Sequence, residues 1–530
     1  MTWYIAVFGF YMVFLIWSCL QSLKNVESMS DFTTGGHRMG LWIGVGTSVA
    51  TWVSVASVMG VPGYLYSSGV AAIIGWVAGW FFGTALIPLV AYKIRRPETP
   101  ARTFPEYVQL RYEPFKKNSH LRTLVAALML IGYFVFTHLQ VVGFGIVFST
   151  IKGIDYKIAI FVFLIFLLFT SIGGFWSVAV TDTVNSILIV LGVVLGAGAV
   201  LVATGGFENI FNTLSTSTAP TIEGGENLSA GVLLSPVGTF GLGALFSIFI
   251  SNSLGAAVSP HWVTRMLAPK SVKVAIMQMV LSVIALIAIF LPLIVIGLGA
   301  KTLIPSIPAG QTTDYIMPIV IMEYAHPLVG ALTLVALCAA AVSTANSMLL
   351  HCGTSLYNDI YKNIFHNKKI SENTERKQLR FCIFALGIIA VVSAIKPPVL
   401  LAMGFTYVYG GFGAAFFFVV YLGLYWKRMN RLGAYANIIL GSFVYVLAKV
   451  MGATNPFIIA LAVAFVGVIV AVYATKKPPL EAYEPYFEVD ISPSTKKVIA
   501  AIQNTNIDQD DYPKTTEIGE YQNRASHLGS

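Results

Sequence analysis

Residues 50–63 read ATWVSVASVMGVPG. The stretch lies in an apolar run, yet Thr51, Ser54 and Ser57 punctuate it, and Gly60, Pro62 and Gly63 end its regular hydrogen bonding. Pro62 has no N–H to give the Val58 carbonyl. A carbonyl freed from its ladder is a hard oxygen ligand for a cation. A Pro-kinked packing helix would carry the same residues, so the surrounding sequence has to choose between the two readings.

Those surroundings are membrane-like. The chain is 56% hydrophobic and 11% charged, where soluble domains carry about 25% charge. Mean hydropathy is +0.76. The 47 glycines suit closely packed membrane helices. The net charge of +9 is no sign of nucleic acid, because the basic residues sit in connections between apolar runs. Cys19, Cys338, Cys352 and Cys382 lie in or beside apolar runs with no metal or disulfide spacing. The first run has no basic segment ahead of it and no cleavage site, so it reads as a membrane helix and not a removed signal.

Runs long enough to span fall near 3–22, 40–62, 70–92, 122–150, 156–173, 178–204, 237–260, 274–300, 315–360, 381–396, 399–426, 432–451 and 456–475. An all-α polytopic membrane protein with about 13 transmembrane helices is expected. Lys and Arg cluster at alternate connections: 93–122, 264–273, 362–380, 427–431 and 476–477. The intervening loop 205–236 has no Lys or Arg but holds Glu208, Glu223 and Glu226. Basic loops stay inside, which puts the N-terminus outside and the C-terminus in the cytoplasm of a plasma-membrane protein. Residues 1–475 then form the transmembrane domain. Residues 476–530 form a polar cytoplasmic tail, expected to be largely unstructured apart from a short helix near 494–503.

Polarity at membrane depth marks further positions. In AAAVSTANSMLL, residues 339–350, Ala340, Ser343 and Thr344 share a helix face, and Ser343, Asn346 and Ser347 repeat the spacing. Such neutral oxygens suit a monovalent cation that must bind and leave; a small-residue helix interface has the same composition. Asp182 stands a few residues into its helix, either as a functional carboxylate or as an interfacial helix-start residue. His138 and Gln140 are polar within the fourth run and are candidates to hydrogen-bond a substrate or a neighbouring helix. SNSLGAAVSPHWVTR, residues 251–265, breaks a second helix at Gly255 and Pro260. Counted from the run at 40–62, it opens a second group of five, and broken first helices in two groups of five mark inverted-repeat transporters. Tyr407 and Tyr409, beside Gly404, Gly410 and Gly411, are candidates for a gate or for aromatic packing.

With these stretches in order, the chain resembles the sodium/solute symporter family over most of residues 1–475. Ala50 to Gly63 is similar to the family's Ala-Thr-Tyr-Ile-Ser-Ala break followed by Gly-x-Pro-Gly. Gly173, Gly174, Thr181 and Asp182, then Pro260, His261 and Arg265, then Ser343, Thr344, Asn346, Ser347, Asp359 and Tyr361 resemble its later motifs. MGVPG, AVSTAN, YNDIYKNI, AIKPP and LGLYWKRMNRLGA are most similar to the sodium/pantothenate branch. The resemblance implies a LeuT-like 5+5 inverted-repeat core, with sodium co-transported and a monomer as the functional unit. It implies a sodium site from the carbonyls of Ala50, Val53 and Ala340 and the hydroxyls of Ser343 and Thr344. A second site, present in some members, would use Asp182, Ser343 or Asn346, and Ser347, although Asn346 stands where members with that site have Ser. Substrate would lie by Trp52, Ser54, Ser57, Trp76, Thr137, His138 and Gln140. Ser57 and Trp76 replace the acidic or amide residues of sugar carriers, and Thr137 stands near the Arg of sialic-acid carriers.

The expected function is therefore sodium-coupled import of a small solute, a monocarboxylate or pantothenate-like compound, by alternating access. Proline or another amino acid, or a sugar or sialic acid, are the alternative cargoes. A membrane sensor signalling through the tail is the alternative of another class. No phosphate loop, metal cluster or nucleophile motif suggests an enzyme.

Overall fold

The structure is a computed structural model that describes residues 2–22, 28–97, 100–151, 154–171, 173–221, 227–307, 311–365, 371–396 and 401–503. Tail residues 504–530, together with Glu223, Glu226, Lys368, Lys369, Pro397 and Pro398, lie outside the described residues. The described chain is helical. Its first half runs α1 (Thr2–Ser22), α2 (Met29–Thr34), α3 (Leu41–Trp52), α4 (Val61–Ser68), α5 (Gly79–Ile94), α6 (Phe104–Tyr112), α7 (His120–Ser149), α8 (Tyr156–Ser171), α9 (Gly174–Thr204) and α10 (Phe207–Thr216). The second continues with α11 (Leu242–Val258), α12 (Pro260–Leu267), α13 (Val272–Leu303), α14 (Ile316–Tyr324), α15 (Pro327–Thr354), α16 (Lys362–Phe365), α17 (Glu372–Ser393), α18 (Leu401–Tyr425), α19 (Arg431–Val450), α20 (Pro456–Tyr473), α21 (Leu480–Phe487) and α22 (Pro493–Gln503).

Among the described residues ten helices are long and apolar enough to cross a membrane, and α3 with the helix Ala56–Ser68, bent by 53° at their break, makes an eleventh. The other two expected runs are helical but fall short of that standard. α8 has 16 residues, and α17 opens with the charged turn ENTERK. Local chemistry moves several boundaries. The run expected over 315–360 splits at His326, whose ring accepts from Leu328 N just before Pro327. The second broken helix parts at Ser259, held at ψ 124° before Pro260. The loop 93–122 contains a wholly buried helix, α6, capped by Thr103.

The 5+5 architecture is visible in what packs on what. α3 lies on α9 and α13, and its counterpart α11 lies on α18 and α5. α7 packs on α8, as α15 packs on α17. α15 packs on α9, as α7 packs on α18. Each pair in one half thus has a partner in the other, as inverted repeats require. α15 is the centre, with 83% of its apolar window buried. Close approach elsewhere depends on glycine: a Cβ on Gly83 of α5 would sit 2.2 Å from the Ser253 carbonyl of α11, and one on Gly255 would sit 2.3 Å from the Tyr409 carbonyl of α18.

The basic connections meet on one face. Arg95 donates to the Pro269 carbonyl (2.7 Å) and Arg96 to the Phe487 carbonyl (3.3 Å). α6 is pinned there by Arg122, which donates to Gln109 at 2.9 Å and pairs with Glu106 at 3.5 Å, and by Arg111, which donates to the Gly423 carbonyl at 2.7 Å. The early tail departs from expectation. α21 packs on α5, α6 and α18. Val498, Ile499 and Ile502 of α22 are buried, and Arg102 donates to the Gln503 carbonyl (2.9 Å). Buried Glu484 accepts from Ser492 (2.7 Å) and from Thr495, so its charge is satisfied locally.

Gly255→Val should overpack the α11–α18 contact and cost about 1–3 kcal/mol. The measurement is the loss of monodisperse protein on heating in detergent, against an unchanged wild type.

Candidate functional site

The first break lies earlier than Pro62. α3 ends at Val53, whose ψ of 97° leaves the helical region. Ser57 N and Val58 N both donate to the Ser54 carbonyl (2.9 and 3.0 Å), so Ser57 does not close the usual ring on Val53. A π turn over Ala56–Gly60 follows, in which Val61 N reaches the Ala56 carbonyl. This i→i+5 ladder precedes Pro62, which sits at the start of α4 where its missing N–H is tolerated. Gln140 of α7 accepts from Val55 N at 3.1 Å, and Ser54 Oγ accepts from Ala56 N at 3.2 Å. Ser57 Oγ donates to the Trp52 carbonyl at 3.4 Å.

α15 faces this end of α3. Ser343 Oγ lies 2.9 Å from the Ala50 carbonyl and 3.2 Å from the Ala340 carbonyl. Thr344 Oγ1 reaches the Thr51 carbonyl at 3.4 Å. All of these residues are buried. The result is a cluster of neutral oxygens between two helices, beside the break at Val53. Among the described residues no group of three or more His, Cys, Asp or Glu could hold a metal.

One turn along, Asp182 of α9 is fully buried. Its Oδ2 accepts from Thr47 (2.7 Å) and Thr51 (3.3 Å) of α3 and lies 3.5 Å from Ser347 Oγ and from Arg265 Nη2. Asp182 and Ser347 therefore meet, but Asn346 does not join them. Asn346 Oδ1 instead accepts from Thr170 of α8 at 2.7 Å, because it projects from the adjoining face of α15. Arg265, visible in sequence only as part of a motif, completes the cluster.

On the other side of Trp52 the site is aromatic. Trp52 packs on Trp80 (5.7 Å between centroids), Trp262 (5.6 Å) and Tyr409 (6.3 Å), and donates to Thr84 Oγ1 at 2.9 Å. Trp76, one turn before Trp80, does not contact this group. It stacks on Tyr64 at 4.0 Å and donates to Thr406 Oγ1 at 3.0 Å. Trp80, Trp262 and Phe136, whose ring lies 5.3 Å from that of Tyr409, are not singled out by the sequence; the i+4 spacing of Trp80 to Trp76 is the signal that points to Trp80. Thr137 is buried but its hydroxyl bonds back to the Tyr133 carbonyl at 2.9 Å. His138 faces away from the break, 2.7 Å from Ser393 of α17, so its role is a helix–helix contact. Tyr407 and Tyr409 lie on opposite sides of α18, as residues two apart on a helix must. Tyr407 is 43% exposed under Lys449, so only Tyr409 faces the site. Gln140 Nε2 and Trp262 Nε1 are buried donors with no partner among the described residues.

A family model described as the sodium:solute symporter family matches residues 32–441. The chain is 26% identical to the sodium/pantothenate symporter of Haemophilus influenzae, over 80% of this chain and 85% of the relative. It is 26% identical to the sodium/proline symporter of Staphylococcus aureus, over 84% of each. It superposes on a Na+-coupled sialic acid symporter, solved substrate-bound and outward-open, with a TM-score of 0.73 at 19% identity, covering 90% of this chain and 99% of that one. Mhp1, a nucleobase-cation-symport-1 family transporter, matches at TM-score 0.54 and 14% identity over 88% and 98%. The fold is LeuT-like.

Gln140→Leu removes the side-chain acceptor of Val55 N and should cost about 1–3 kcal/mol, the penalty of an unpaired buried donor. Gln140→Glu keeps an acceptor at that place. Thermal unfolding in micelles should rank the leucine variant below the glutamate variant.

Proposed function

Because this chain belongs to the sodium:solute symporter family, we propose that it imports a small organic solute on a sodium gradient by alternating access. The observation that carries the reading is the pairing of Ser343 and Thr344 hydroxyls with carbonyls at the broken end of α3. In this reading the carbonyls of Ala50, Val53 and Ala340 and the hydroxyls of Ser343 and Thr344 hold the ion. Sodium there ties α3 to α15 and so biases the core toward the state that completes the substrate pocket. The membrane potential adds about 2.3 kcal/mol per net charge per 100 mV.

The proposed cargo is a monocarboxylate or pantothenate-like compound. Trp52, Trp262 and Tyr409 offer apolar surface, while Gln140 Nε2 and Trp262 Nε1 offer unspent donors suited to acceptor oxygens. Asp182, beside the break, has its Oδ2 engaged by Thr47 and Thr51 and its charge balanced by Arg265. An ammonium group would meet that arginine beside the carboxylate. Proline is the second reading, supported by the equal identity to a proline symporter. The transport domain is assigned to 1–475 of a plasma-membrane monomer, N-terminus outside and tail 476–530 in the cytoplasm. The meeting of the basic connections on one face supports that orientation.

The test is radiolabelled uptake into proteoliposomes with an inward sodium gradient, across pantothenate, acetate, pyruvate, proline, sialic acid and galactose. Concentrative uptake of one solute is expected, lost without sodium. The Ser343→Ala/Thr344→Ala variant should raise the sodium half-saturation by about tenfold or more, on the scale of 1.4 kcal/mol per decade. Uptake indifferent to sodium and to the variant would remove the ion site from the mechanism.

A further inference from the structure

We infer that α21 and α22 form a splint on the connection between α5 and α6, and that undocking of this splint frees the basic face to open during the transport cycle. The inference rests on the symport reading above.

Packing divides the core into two bodies. α5 packs on α11, α12 and α13, and α13 packs on α3. α7, α8, α15 and α17 pack on one another as a second group. Alternating access moves one such body against the other. α6 sides with the second body. Arg122 of α7 holds its Glu106 and Gln109, and Thr103 at its start donates to Asp359, in the turn that extends α15, at 2.9 Å. Residues 95–103 therefore join a helix of one body to a helix held by the other. Any movement of α5 against α6 has to be taken up in that connection.

The tail grips the connection at both ends. Arg96 donates to the carbonyl of Phe487, the last residue of α21, at 3.3 Å. Arg102 donates to the carbonyl of Gln503, the last residue of α22, at 2.9 Å, and Gln503 Nε2 donates back to the Pro100 carbonyl at 3.0 Å. The last carbonyls of a helix lack intrahelical partners, and a cation there is favoured by the helix dipole. Two arginines of one connection thus cap both tail helices. Between the caps, Tyr486 lies edge-on to Tyr107 of α6 at 5.4 Å, and Lys93 of α5 sits 4.9 Å above the Phe487 ring. Lys427, just after α18, pairs with Glu488 at 2.8 Å. The tail is braced within itself, since Ser494 donates to Glu481 at 3.0 Å and Ser492 to Glu484. It therefore touches α5, α6 and the end of α18 at once as a preformed piece. Its grip is directional caps, one ion pair and a narrow buried face, which can open without unfolding a span.

The test is a distance measurement between spin labels on the full chain in proteoliposomes. The labels go on Tyr92→Cys of α5 and Lys377→Cys of α17, both exposed, with Cys382→Ala; the other three cysteines are buried. The chain with native tail contacts should give one narrow distance population and a tail protected from protease. Arg96→Ala/Arg102→Ala should expose the tail to cleavage and add a second population. Val498→Asp, which puts a charge into the buried face of α22, should do the same by an independent route. Maximal uptake of whichever solute of the panel above is carried should rise about threefold or more in both, as where a conformational step limits turnover. A released tail with the distances or the maximal rate unchanged would overturn the inference. So would a tail still protected in both variants. Two populations under a protected native tail would overturn it too, and that measurement stands even where the variants do not fold. Absence of uptake for every solute would count against the symport reading and leave the distances to decide the splint.

Discussion

A helix interrupted inside hydrocarbon exposes backbone groups that water cannot reach, and each one left unpaired costs several kcal/mol. The break after Trp52 survives because neighbours satisfy it. Gln140 accepts from Val55 N, Ser54 accepts from Ala56 N, and Ser343 donates to the Ala50 carbonyl. The first and last of these bonds come from α7 and α15, which occupy equivalent places in the two halves of the core; the Ser54 bond is local to the break. The broken helix is therefore held by the elements it would have to move against. That single constraint places polar oxygens at depth, gives them a reason to converge, and ties any ion bound there to the relative position of α3 and α15.

How far this was legible in the sequence follows from the same physics. Long apolar runs must span, so each of the thirteen runs is found as a helix, and Pro260 and Pro327 place two of the breaks. The five-plus-five repeat was reachable only by counting, since packing pairs such as α3 on α9 and α11 on α18 leave no shared motif. Pro62 misdirected the first break. The π turn over Ala56–Gly60 absorbs the proline, and no residue type announces a π turn. That Ser343 and Thr344 share one face was readable from i, i+3, i+4 spacing, and that face meets the end of α3. The facing of His138, Tyr407 and Asn346 was not, because any polar residue at depth finds some partner and sequence does not say which helix supplies it.

The tail shows the same limit from the other direction. Its composition is polar, yet α22 buries Val498, Ile499 and Ile502, and the charge of Glu484 is met by hydroxyls two turns away. Amphipathicity over one short helix is a weak signal when the surface it covers, here α21 docked on α5, α6 and α18, is assembled from distant sequence.

Charge is arranged by depth in a way that suits coupling. The face where the basic connections meet carries ion pairs such as Arg122–Asp359 and Lys362–Glu375, which hold the short helices between the spans. Deeper in, the charged pair beside the break, Asp182 with Arg265, is internally balanced; losing either partner of such a buried pair costs about 3–5 kcal/mol. The oxygens of Ala50, Ala340, Ser343 and Thr344 are neutral. A cation among neutral ligands gains little over hydration unless all of them are in place, so its affinity falls steeply once α3 and α15 separate. A ligand shifts an equilibrium only by its differential affinity for the two states. A cage of carboxylates would hold the ion in both arrangements and shift nothing. In the proposed reading, weak, geometry-dependent binding is thus what would let one site both capture sodium and bias the core.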